Sequence, residues 1–169
     1  MALREDFTDD EWFMLISTPA MIGASVASAG QSGPFGTAKE VLASLKSVAT
    51  ASQDYPDNSL IQELTKRIED RDAAREQVTQ YRDKTLEKLD GKDQADLQAE
   101  TLEDARKTSA LLASKVSPEE AREYKAWAMT LAENVAKAAK EGSFLGFGGE
   151  QVSPEEKEML AQIDAALNV

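Results

Sequence analysis

Residues 117–137 run Ser-Pro-Glu-Glu-Ala-Arg-Glu-Tyr-Lys-Ala-Trp-Ala-Met-Thr-Leu-Ala-Glu-Asn-Val-Ala-Lys, and they read as one helix from cap to last turn. Ser117 and Glu120 stand in the capping-box arrangement, in which a hydroxyl accepts from a first-turn N–H and the carboxylate reaches back to the cap. Pro118 occupies the first helical position, where a missing N–H costs nothing. Tyr124, Trp127, Leu131 and Val135 then recur at steps of three and four, which places them on one face. Lys137 and Lys140, ahead of Gly142, suit the negative end of the helix dipole.

The same grammar appears at Thr8/Glu11, Thr37/Glu40 and Ser153/Glu156, with Pro154 repeating the role of Pro118 and Phe7 placed to staple onto Trp12. Lys84 and Lys88 close a segment before Asp90-Gly91, and Lys115 closes the next before Ser117. These starts and stops predict six helices, near 9–29, 38–51, 58–89, 93–115, 118–141 and 154–167, with Pro19 kinking or restarting the first. No β pattern competes, so the expected fold class is all-α: a helical bundle built on a long antiparallel αα-hairpin over 58–115. The hairpin's apolar seam is thin, because between Ile68 and Val78 it offers only Ala73 and Ala74. It therefore needs further helices, or a second chain, to pack against.

The 169 residues suit a single domain on a prior of about 150 per domain. Nineteen Lys and Arg against 31 Asp and Glu leave a net charge of −12, which repels phosphate backbones and anionic lipid surfaces. A nucleic-acid role is disfavoured on that ground, and no nucleic-acid partner is expected. There is no Cys and no His, which removes disulfides, thiolate nucleophiles, imidazole bases and most zinc or haem sites. No cofactor, no metal and no enzymatic activity are expected. From Trp12 to Ala38 no residue is charged, and the apolar part approaches the length of a membrane span. Ser17, Thr18, Pro19, Gly23, Ser25 and Ser28 dilute it, however, and its acidic approach is wrong for a signal peptide. The stretch is read as a buried helix and the protein as cytoplasmic, with membrane association disfavoured.

Shifting the sequence by 109 residues places Thr8 on Ser117, Glu11 on Glu120, Val26-Ala27 on Val135-Ala136, Gly33 on Gly142 and Phe35 on Phe144. This suggests an internal repeat, unit A over 8–51 and unit B over 117–167, related by an approximate twofold across the hairpin. Two unrelated hairpins sharing cap chemistry are the alternative. Ala20, Gly23, Ala24 and Ala27 in one repeated helix, and Ala128, Ala132, Ala136 and Ala139 in the other, suggest that the two cross closely.

Two features stand out as candidate sites. The glycine-rich loops 30–36 and 142–149 carry Phe35, Phe144 and Phe147, which either plug the ends of the bundle or anchor a protein partner. Neither loop has the Lys or the preceding strand of a phosphate-binding loop. Arg67, Arg71 and Arg75 recur at four-residue steps and form a stripe suited to a carboxylate or phosphate, although interleaved acids such as Asp70, Asp72 and Glu76 favour a solvated face. The functional expectation is a non-enzymatic protein–protein interaction or scaffold domain, self-association included. A small-molecule or anion binder, using the arginine stripe or an interhelical pocket, is the alternative.

Overall fold

A computed structural model of the chain describes residues 2–29, 50–66, 90–140 and 152–168, with positions 72, 75, 76, 79, 80, 83, 84 and 87 between them. Every regular element among these residues is helical: α1 Asp9–Ala29, α2 Ser59–Leu64, α3 Gln94–Lys115, α4 Pro118–Lys140 and α5 Pro154–Leu167, preceded by a 3-10 turn Arg4–Asp6. The all-α reading holds.

The caps set the boundaries. Thr8 Oγ1 accepts from Glu11 N at 3.2 Å, and Glu11 Oε2 accepts from Thr8 N at 2.8 Å. Ser153 and Glu156 repeat the exchange at 3.2 and 2.6 Å, and Ser117 and Glu120 repeat it at 3.3 Å each way. Thr37 lies outside the described residues. The Phe7 ring stands 5.7 Å from Trp12, centroid to centroid, as the staple requires. A further box was not anticipated: Asp93 accepts from Asp96 N at 2.9 Å to start α3. Here two aspartates do what a hydroxyl and a glutamate do at the other starts.

The helix expected over 58–89 is not continuous. α2 stops at Leu64: Thr65 leaves the helical region at φ −100° and ψ 2°, while its hydroxyl and amide still donate to Ile61 O at 2.7 and 3.0 Å and complete the last turn. The described positions between 72 and 87 are helical again, and the turn at Asp90-Gly91 forms as expected, with Gly91 at φ +70°. In that arm Lys84 Nζ sits 3.1 Å from Asp10 Oδ1 and over the Phe13 ring, which ties it to the start of α1.

α1 is the central helix and touches α3, α4 and α5. It is long and apolar enough to cross a membrane, with a mean hydropathy of 1.4, yet 61% of that stretch is buried by the other helices. Two hydroxyl pairs fix its register against α3: Thr18 Oγ1 lies 2.9 Å from Thr108 Oγ1, and Ser25 Oγ lies 2.7 Å from Thr101 Oγ1. Seven residues forward on one helix answer seven backward on the other, so the two run antiparallel. The short turn into α4 reverses the chain again, which makes α1 and α4 parallel. Their early residues Leu15 and Tyr124 accordingly share one buried cluster, and their late residues Ala29 and Ala136 share another.

Pro19 does not break α1, which is helical through Asp9–Ala29. Proline removes the N–H that would bond Leu15 O four residues back. The hydroxyl of Tyr124 supplies the bond instead, at 2.7 Å.

The alanine faces are asymmetric. Ala128, Ala132 and Ala136 are fully buried on α4, but on α1 Ala20 and Ala24 are exposed, and Ile22, Val26 and Ala27 face inward. Val26 packs with Ala105, Met159 and Ile163, whereas Val135 packs with Ala27 and Leu131. The surroundings of these two matched valines therefore differ. Residues 30–49, with the first glycine loop and most of the second helix of unit A, lie outside the described residues.

Candidate functional site

Of the residues singled out by sequence, Phe35, Phe144, Phe147, Arg67 and Arg71 lie outside the described residues. Arg75 is described, and it is exposed on a helical segment beside exposed Glu76.

The structure instead opens a groove of about 610 Å³ where α3 ends, α4 begins and α5 ends. Ala113 and Val116 come from the end of α3, Pro118, Ala121, Arg122, Lys125, Ala126 and Met129 from α4, and Asp164 and Asn168 from the end of α5. Its cause is local. Val116 is extended at φ −123° and ψ 164°, and Pro118 starts the next helix two residues later, so α3 and α4 diverge from a tight corner. Ala113, Ala121 and Ala126 are too small to fill the wedge between them.

Two cations stand on the α4 wall, one turn apart. Lys125 Nζ donates to Ser109 Oγ at 2.9 Å, and Ser109 in turn donates to Leu167 O at 2.8 Å, at the negative end of the α5 dipole. Arg122 Nη2 lies 3.4 Å from Glu119 Oε1, with both side chains about three-quarters exposed, so this pair is worth at most about 1 kcal/mol. Asp164, opposite them, accepts from Asn168 Nδ2 at 2.9 Å.

The carboxylates Glu120 and Glu123 of α4, which are not among the groove residues, are structural. Glu120 is 8% exposed and accepts from Ser117 Oγ at 2.9 Å, from Ser117 N at 3.3 Å, from Ala2 N at 3.4 Å and from Ser59 Oγ. Burial by itself would raise its pKa, but the bonds from Ser59 and Ser117 outweigh this and hold it at about 2. It is a knot joining the first residues, α2 and α4. Asn58, also buried, completes that knot: its Oδ1 caps α2 by accepting from Ile61 N at 3.0 Å, and its Nδ2 donates to Glu120 O and Glu123 Oε2 at 3.1 and 2.9 Å. A carboxylate held ionised by four donors is a poor general acid or base near neutral pH. No group of three or more Asp or Glu positioned for a metal ion occurs among the described residues.

The buried indole N–H of Trp127 has no hydrogen-bond partner, but Trp127 packs in the cluster with Tyr124 and Ile61 and is not among the groove residues. Sequence reasoning missed the groove because its three sides come from three helices. The signal that could have found it is local: small residues at 113, 121 and 126 flanking the basic pair at 122 and 125.

No family model, no curated protein and no solved structure matches the chain.

Proposed function

We propose that this chain is a non-enzymatic interaction domain that engages a protein partner through the groove between α3, α4 and α5. The observation that carries the reading is an apolar recess left open where α3, α4 and α5 meet: Val116 and Met129 are half-buried and Ala113 and Ala126 exposed around it. The commitment of Glu120, Glu123 and Asn58 to structural bonds supports a binding role over catalysis.

A photo-crosslinking side chain at Ala126 tests it. It should trap a discrete, identifiable protein, and a second substitution, Ala113→Arg, should abolish trapping without changing the melting temperature. Equal trapping from an exposed position remote from the groove, such as Glu103, would count against the proposal. Where the partner is a second copy, light scattering should give a mass near twice 18.4 kDa.

A second reading, binding of a small molecule, is favoured by one specific observation. The volume of about 610 Å³ falls inside the range of roughly 300–1,000 Å³ that ligand pockets occupy.

A further inference from the structure

Resting on the small-molecule reading of the groove, we infer that its ligand is an amphipathic carboxylate: an aliphatic body laid along α4, with its carboxylate against Arg122 and Lys125. The chain carries a net charge of −12, so a generic surface recess on it is expected to repel an anion. This recess has the opposite local balance, with two cations against the single carboxylate of Asp164 among its lining residues.

The two cations are also poised to bind. Arg122 and Lys125 are three residues apart, hence on neighbouring positions of one helical face, with Ala121, Ala126 and Met129 between and beyond them. Among the described residues Lys125 has no carboxylate partner. It uses one of its three donors on the buried Ser109 Oγ, and that contact holds the ammonium in place without neutralising it. The partner of Arg122, Glu119, is held across an exposed 3.4 Å contact that a ligand carboxylate can replace.

The rest of the lining fits the other end of such a molecule. From Pro118 to Met129 the α4 wall is about 16 Å long at the helical rise, and Val116, Pro118, Ala121, Ala126 and Met129 line it without a hydroxyl or amide side chain. Asp164 and Asn168 stand on the opposite side and bond to each other. A dicarboxylate would therefore place its second charge on apolar wall or beside Asp164, whereas a monocarboxylate with an alkyl body meets each surface with its match.

Dodecanoate below its micellar concentration is the probe, titrated calorimetrically into the full chain, with dodecanol as the uncharged counterpart and dodecylammonium as the opposite charge. The expected result is saturable one-to-one binding of dodecanoate, at least tenfold weaker binding of the other two, and amide shifts centred on Val116, Ala121, Ala126 and Met129. The double substitution Arg122→Gln with Lys125→Gln should weaken dodecanoate at least tenfold and leave dodecanol unchanged. Ala126→Trp, at an exposed position that tolerates bulk, should block all binding while the melting temperature is kept. Equal affinity for dodecanol overturns the carboxylate assignment and leaves the pocket reading standing. Absence of binding by all three probes, or binding that Ala126→Trp does not affect, overturns both.

Discussion

The Tyr124 hydroxyl donates at 2.7 Å to the carbonyl of Leu15, the acceptor that Pro19 deprives of its helical donor. Tyr124 is fully buried and its pKa is pushed far upward by burial, so the hydroxyl keeps its proton. Two defects that are separately costly, a proline inside a central helix and a phenol inside a core, thus satisfy each other.

Tyr124→Phe leaves the Leu15 carbonyl buried without a donor and should cost about 1–3 kcal/mol in urea unfolding. In a Pro19→Ala background, residue 19 regains its N–H and can bond Leu15 itself, so the same substitution should cost less. A double-mutant cycle with no coupling between positions 19 and 124 would show that the hydroxyl is not replacing the missing donor.

The hydroxyl pairs between α1 and α3 make a similar prediction. Thr101 donates to Leu97 O at 2.8 Å, so Ser25 must be the donor in the Ser25–Thr101 pair. For the other pair, Thr18→Val strips Thr108 of a buried partner and should cost about 1–2 kcal/mol, whereas Thr18→Val with Thr108→Val should cost less than the two single changes added together. Strict additivity in denaturant midpoints would argue against a functioning bond.

Glu120 gives the chain a specific acid sensitivity. Its folded pKa of about 2 lies below the ordinary value of 4.5, so its contribution is fully present above pH 4.5 and is lost as pH falls from there toward 2. Glu120→Gln should lower stability at pH 7, where Ser59 and Ser117 lose a charged acceptor, and should narrow the gap to the parent as the pH drops to 3. Denaturant curves at pH 7, 4 and 3 measure this. A gap that stays constant would mean that folding does not lower the pKa of this carboxylate.

Gly91 tests the turn that precedes α3. An added Cβ meets nothing within 4 Å, so the requirement is φ of +70° rather than space. Gly91→Ala should cost about 1 kcal/mol and Gly91→Asn less, since asparagine tolerates left-handed backbone better. Equal melting temperatures for all three would show that the turn relaxes.

What could be read from the chain follows from range. The span 9–29 for α1 and the starts at Pro118 and Pro154 came from caps that act within four residues of themselves, and the structure places α1 at Asp9–Ala29 and starts α4 and α5 at those prolines. The interruption at Thr65 was missed, because a mid-segment threonine is tolerated in many helices and its bond to Ile61 O is one of several it can make. The alanine pattern overstated the symmetry of α1 and α4. Ala20 and Ala24 share the composition of the buried alanines but not their position, and composition carries no direction. For the site, the stripe residue that is described, Arg75, stands in solvent. The basic residues that line a recess are Arg122 and Lys125, whose spacing along an amphipathic helix is that of ordinary surface charges.

The sequence by itself determined the helical class, the caps and the exclusion of thiol and imidazole chemistry, because each rests on residue identity or on contacts within one turn. Only the tertiary structure decided that Tyr124 completes Leu15, that Glu120 knots three segments, and that Ala113, Lys125 and Asp164 border one groove. The first two rest on hydrogen bonds between residues 61 to 118 positions apart and the groove on three helices at once, and which of them meet is set by how the helices pack around α1.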